Sequence, residues 1–173
     1  NPFLYKNLGV DGIKTGYLGF EKYSLAASME RNERRLISVG SGFLTKSSRS
    51  KQSSKLLTWG ITNFDTIKIA KKDEIFDSLD VWLGVKDKLN VYVKEDIYKT
   101  VKKAHKKYLK GVIEYKGPIL APIKKGDSVA TLKIFQKDDL INEYNLYAKE
   151  EIKKVNVFSR IIKSINYLIW GDV

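Results

Sequence analysis

Apolar and polar positions change period three times along this chain, and each change marks a different kind of element. Residues 8 to 16, from Leu8 through Val10 and Ile13 to Lys14-Thr15-Gly16, read as a buried strand. Two further runs, 23–30 and 34–42, have strand character and are joined by the polar turn Arg31-Asn32-Glu33. These three predict an antiparallel meander. From Thr45 to Phe64 the period lengthens: Ser53, Leu56, Leu57 and Ile61 follow helical spacing, with Ser47 or Ser48 as the cap and Gly60 near the end. This predicts a helix packed on the meander.

Beyond Ile67 the text shortens into strand-like runs: Val81 to Val85, Leu89 to Val93, Lys110 to Tyr115 and Val129 to Phe135. Gly84, Gly111, Gly117-Pro118 and Gly126-Asp127 punctuate them, the pattern of a small antiparallel sandwich or barrel. Pro118 and Pro122 make Ile119-Leu120-Ala121 an edge or connecting segment. The last stretch returns to a helical period. Phe158, Ile161, Ile162, Ile165, Leu168 and Ile169 share one face, Ser159, Arg160, Lys163 and Asn166 lie on others, and Trp170 stands near the end.

Composition narrows the chemistry. The 173 residues carry 32 basic and 20 acidic side chains, a net charge of +12, which attracts anions such as nucleic acid, acidic lipid or an acidic polymer. Cysteine is absent, so disulfides, thiolate zinc sites and a cysteine nucleophile are excluded. His105 is the single histidine, which excludes a multi-histidine metal site and leaves a serine triad only one base. Serine chemistry here would use lysine as its base. Lysines with Tyr98, His105 and Tyr108 interleaved crowd residues 99–110, a pattern that suits single-stranded nucleic acid. Only one arginine, Arg160, follows residue 49, and no RNA-binding signature is present, so a solvated lysine-rich strand or loop is the better reading.

One triplet carries more than composition does. Lys14-Thr15-Gly16 at a strand end matches one of the three motifs of the penicillin-interacting serine enzymes. With Val10-Asp11-Gly12-Ile13 before it, and Tyr23-Ser24-Leu25-Ala26-Ala27-Ser28, Arg35-Leu36-Ile37-Ser38-Val39 and Lys55-Leu56-Leu57-Thr58-Trp59-Gly60 after it, the chain resembles the D-alanyl-D-alanine carboxypeptidases. These are the low-molecular-mass penicillin-binding proteins of the bacterial periplasm. The stretch Ala121-Pro122-Ile123-Lys124-Lys125-Gly126 is similar to their accessory β domain.

The resemblance implies an α+β chain in three parts. Residues 1–65 would be the end of a penicillin-binding, transpeptidase-like catalytic domain of antiparallel strands plus a helix. Residues 66–150 would be a small antiparallel β-sandwich, and 151–173 an amphipathic membrane-surface helix. It implies a serine acyl-enzyme that trims terminal D-alanine from peptidoglycan stem peptides and is acylated by β-lactams, with no cofactor and no metal. The Ser-x-x-Lys nucleophile and base would lie upstream. The literal Ser48-Arg49-Ser50-Lys51 and Ser47-Ser48-Arg49-Ser50 follow the triplet, and are rejected.

By the same resemblance, Lys14 places an ammonium beside the nucleophile and lowers the pKa of its lysine base. Thr15 donates a hydroxyl to the substrate's terminal carboxylate, Gly16 leaves room for substrate backbone, and the Tyr17 N–H is an oxyanion donor. Arg49, in the loop before the helix, pairs with a carboxylate. Strand alternation places Lys14 and Thr15 on opposite faces, so both serve one site only at a twisted strand edge. Where the family has threonine and then an Ala-Gly pair, this chain has Leu18-Gly19-Phe20-Glu21-Lys22, which implies a different turn.

Phe158 to Trp170 is too short to span a bilayer, which needs about 20 apolar residues. Its apolar face, Trp170 and the nearby Lys153, Lys154, Arg160 and Lys163 suit an anionic membrane interface. The expected location is therefore the periplasmic face of the bacterial inner membrane. A non-catalytic, membrane-anchored module for cell-wall peptide is the alternative reading.

Overall fold

A computed structural model of the chain describes Phe3, residues 9–31 and 34–156, and Ile161, Ile165 and Ile169. It is mostly antiparallel β with one long helix. The chain divides into two compact units, residues 1–66 with 100–104, and 67–99 with 105–173.

In the first unit, strands β1 (Val10–Leu18), β2 (Lys22–Arg31) and β3 (Arg34–Phe43) form a meander in the order β1-β2-β3. Alternate residues in the middle of β2 form its buried apolar face: Leu25, Ala27 and Met29 sit at 1%, 0% and 5% exposure. They pack with Val10, Phe3 and Leu57 and with the half-buried Leu36 and Ile61. Alternation therefore assigns one face of the sheet to helix α1 (Lys46–Asn63), which contributes Leu57 and Ile61 to this core.

The helix inside face runs through Arg49, Ser53, Leu57 and Gly60. Leu56, placed by its spacing among the inward residues, is instead 47% exposed, because the buried line runs Arg49-Ser53-Leu57-Gly60 and Leu56 falls outside it. The cap is Thr45, not Ser47 or Ser48. Its hydroxyl accepts the Ser48 N–H at 3.0 Å and its carbonyl the Arg49 N–H at 3.0 Å. Gly60 is needed for close approach: a Cβ there would lie 3.2 Å from Leu36 Cδ2. The far end of α1 holds no basic residue in its last turn, and Arg34 of β3 supplies the missing donors, giving hydrogen bonds to the carbonyls of Gly60 and Phe64. On the sheet face away from α1, the Arg35 guanidinium donates to Asp11, Ser28 and Glu30 across all three strands. The hydrogen bonds from Arg35 and then Ser28 hold the Asp11 carboxyl below its ordinary value of 3.8.

Strands β4 (Phe64–Ala70) and β7 (Ile97–Lys102) form a two-stranded ladder. In the second unit β5 (Ile75–Trp82), β6 (Lys88–Tyr92), β8 (Leu109–Glu114), β9 (Ile119–Leu120), β10 (Ser128–Gln136) and β11 (Asp139–Ala148) make one sheet, ordered β8-β10-β11-β6-β5-β9. All its pairings are antiparallel except β5 with the short edge strand β9. Leu79, Val81, Leu89, Val91, Leu132, Ile134 and Leu146 are among its buried core. On the polar face Lys133 joins Glu114 and Glu143 across β8, β10 and β11.

The expected strand over Val81 to Val85 stops at Trp82, because Leu83 takes a left-handed φ of 57°. Gly84 then bridges to Lys154 at a spot with no room for a side chain, since its Cβ would meet Ile152, Val81 and the Lys86 carbonyl within 2.8 Å. The lysine-rich stretch is partly β7 and partly a 3-10 turn, Lys103–Tyr108, in which His105 is half-buried and lies 3.1 Å from the Gln136 amide nitrogen. Of the terminal amphipathic stretch, Phe158, Ile162, Leu168 and Trp170 lie outside the described residues. Ile161, Ile165 and Ile169 are helical and 55%, 49% and 64% exposed. Among the described residues no helix is long and apolar enough to cross a membrane.

Candidate functional site

β1 is the first strand in its sheet, so one side of it pairs with β2 and the other carries no strand among the described residues. The register is Lys14 opposite Ala26, Thr15 opposite Leu25, Gly16 opposite Ser24 and Tyr17 opposite Tyr23. Directly opposed residues in an antiparallel pair share a face. Leu25 is a core residue under α1, so Thr15 lies on the helix side of the sheet, and Tyr17 and Tyr23 lie on that side as well. Lys14 lies on the far side with Ala26 and, one strand further on, Val39. Val39 and its neighbour on that face, Ile37, are 74% and 60% exposed. The triplet therefore straddles a free strand edge.

Arg49 reaches this edge from the first turn of α1. Thr45 caps that turn, and Arg49 is one of the buried residues of the helix. The guanidinium carbon stands 5.8 Å from the centre of the Tyr23 ring, which in turn lies 4.6 Å from the Tyr17 ring at 42°. Only 9% of Arg49 is exposed, and its Nε is buried without a hydrogen-bond partner. Of the sequence-selected residues, Thr15 and Tyr17 thus lie on the side of the sheet where Arg49 packs, and Lys14 stands across the strand.

Among the described residues, Lys14, Thr15 and Arg49 make no side-chain hydrogen bond or ion pair. A desolvated cation without an anion is costly, since a buried charge is normally paired. The site therefore has the character of an anion receptor: a buried guanidinium, a free hydroxyl and, over the edge, an exposed ammonium. Tyr23 was not singled out by its sequence. The signal that could have found it is its register opposite Tyr17, two residues beyond Thr15 in the hairpin.

Packing within the sheet does not itself require glycine at position 16. A Cβ there would fall 2.4 Å from the Ser24 hydroxyl but 3.8 Å from Ser24 Cβ. Rotation of that hydroxyl relieves the clash. The hairpin Leu18-Gly19-Phe20-Glu21-Lys22 closes a three-residue turn with Lys22 at a φ of 61° and Phe20 96% exposed at its tip. No cluster of three metal-binding side chains occurs among the described residues.

Comparisons with known proteins identify the family. The family model of the penicillin-binding protein 5 C-terminal domain matches residues 64–154. D-alanyl-D-alanine carboxypeptidase DacA of Escherichia coli K12 is 35% identical over 170 residues, covering 97% of this chain and 42% of that protein. DacC of the same organism is 36% identical over 156 residues, covering 90% and 39%. Among solved structures, penicillin-binding protein 5 of Haemophilus influenzae superposes with a TM-score of 0.73 at 28% identity, over 88% of this chain and 45% of that one. The carboxypeptidase DacD of Francisella tularensis gives 0.67 at 29% identity, over 89% and 38%. The chain belongs to the penicillin-binding protein 5 family, whose curated members here are D-alanyl-D-alanine carboxypeptidases. It spans about two fifths of the length of the relatives it matches.

The Gly16 geometry separates a folding role from a ligand role. In a protein that joins this chain to the Ser-x-x-Lys segment the resemblance implies, Gly16→Ala should melt within a few degrees of the parent, because only a hydroxyl must turn. Acylation by a β-lactam should nevertheless fall at least about 10-fold as the new methyl group crowds the strand edge. A variant that unfolds, or one that reacts at the parent rate, would remove Gly16 from the binding edge.

Proposed function

We propose that this chain is the C-terminal portion of a serine-type D-alanyl-D-alanine carboxypeptidase acting on peptidoglycan stem peptides. Residues 1–65 form the end of its catalytic domain, 66–150 an accessory β domain, and 151–173 a membrane-surface segment. The observation that carries the reading is the strand edge beside which the Lys14, Thr15 and Arg49 side chains make no hydrogen bond or ion pair among the described residues.

In this reading the substrate lies along the free edge of β1. Its terminal carboxylate meets the Thr15 hydroxyl and the Arg49 guanidinium, a fork suited to two-point pairing. The upstream serine approaches from the Lys14 side, where exposed Ile37 and Val39 offer an apolar face for the segment that carries it. The serine oxygen attacks the carbonyl of the penultimate D-alanine, its proton passes to the lysine of Ser-x-x-Lys, and the oxyanion is met by the Tyr17 N–H. Removing one such donor typically costs about 100-fold or more in rate. Lys14 favours the neutral form of the lysine base by like-charge repulsion. Collapse expels D-alanine, which takes up the proton, and water then hydrolyses the acyl-serine.

Intact mass of the upstream-extended protein, with and without penicillin, tests this directly. One adduct on the serine of an upstream Ser-x-x-Lys is expected, and none on the 173-residue chain alone. No adduct on folded extended protein would favour the non-catalytic binding module, and an adduct on a serine within this chain would overturn the assignment of the nucleophile.

The same reading places the protein on the periplasmic face of the inner membrane, held there by the face that includes Ile161, Ile165 and Ile169. Their helical state and half-exposed side chains support a lipid-facing role, as does the net charge of +12. Phe158→Glu and Ile162→Glu should each release the protein from vesicles containing phosphatidylglycerol while leaving the melting of the β domain unchanged. Retention of both variants on the vesicles would dismiss the anchor.

A further inference from the structure

We infer that Tyr23 is a positioning residue that holds the Arg49 guanidinium in its carboxylate-binding pose, an inference that rests on the reading of Arg49 given above. The Arg49 side chain has no hydrogen bond or ion pair among the described residues, so hydrogen bonding does not fix the plane of its fork. What it does have is the Tyr23 ring, 5.8 Å from its central carbon. Tyr23 is held in turn by the Tyr17 ring at 4.6 Å and by its backbone pairing with Tyr17 and Phe43 on either side.

The choice of an aromatic ring has a chemical consequence. A carboxylate in the same place would neutralise Arg49 and occupy the donors that an anionic ligand needs. The negative face of a ring attracts the cation while leaving its charge and its N–H groups uncommitted. Burial to 9% exposure strengthens that attraction relative to a surface pair. The Tyr23 hydroxyl makes no hydrogen bond among the described residues, so the ring and not the hydroxyl is the functional part.

The test uses the upstream-extended protein and one peptide in two forms, ending in a free carboxylate or in an amide. Tyr23→Leu should raise KM for the carboxylate form about 10-fold, the loss of one desolvated cation–ring contact, with kcat and the amide form little changed. Tyr23→Phe should behave as the parent. Arg49→Ala should reduce the same carboxylate preference further. Should Tyr23→Leu fail to fold, phenylalanine against pentafluorophenylalanine at position 23 keeps the shape and removes the negative ring face. The fluorinated ring should lose the preference that phenylalanine retains. An equal loss on both peptides, or a fluorinated variant indistinguishable from phenylalanine, overturns the role of Tyr23. If Arg49→Ala abolishes the preference while the Tyr23 variants keep it, only the positioning role fails. If Arg49→Ala also keeps it, the reading of Arg49 fails with it.

Discussion

The pairing of β1 with β2 is the constraint on which the candidate site depends. Because side chains alternate, a slip of one residue in that register would move Lys14 under the helix and turn Thr15 and Tyr17 away from it. The register is held by burial: Leu25, Ala27 and Met29 occupy the helix side, and none of their polar neighbours can replace them there. At the other end of the same hairpin, Asp11, Ser28, Glu30 and Arg35 lock the three strands on the opposite face. The hydrophobic face and the polar clamp thus specify the same alignment. That alignment delivers the triplet to an edge that no other strand covers among the described residues.

Two cations of different character then flank the edge. Lys14 is exposed and hydrated, a mobile charge on a flexible stem. Arg49 is buried, rigidly based on a capped helix turn, and apposed to an aromatic ring. A long-range attraction for anions follows from the first, and geometric selection from the second. The thermodynamic cost of a desolvated guanidinium without a counter-ion is tolerable in a receptor, because a bound carboxylate recovers it. In a purely structural arginine it would have no such return. Arg34 illustrates the structural kind: its guanidinium is committed to the Gly60 and Phe64 carbonyls at the end of α1.

Much of the first unit was legible because its signals are local. The meander, the helix and the triplet each follow from a period or a motif within about ten residues of chain. What stayed hidden depended on partners distant in sequence. Leu56 and Leu57 have equal claims on periodicity, and only the sheet beneath decides between them. Thr45 competes with two nearby serines for the cap, and the point where β3 ends selects it. In the second unit β11 went unread although Leu140, Asn142, Tyr144, Leu146 and Ala148 alternate with Ile141, Glu143, Asn145 and Tyr147, because polar and aromatic residues fall on both faces. The left-handed Leu83 is invisible to hydropathy. Tyr23 emerges as a ring platform only once the hairpin register and the helix turn are both in place.

The proposed recognition depends on which side of β1 receives the ligand's carboxylate. The most direct measurement is a crystal structure of the penicillin adduct of the upstream-extended protein. The carboxylate should lie within hydrogen-bonding distance of the Thr15 hydroxyl and on the Arg49 side of the strand, with the Tyr23 ring still against the guanidinium. A carboxylate held instead on the Lys14 face, with Arg49 turned away from the ligand, would contradict it.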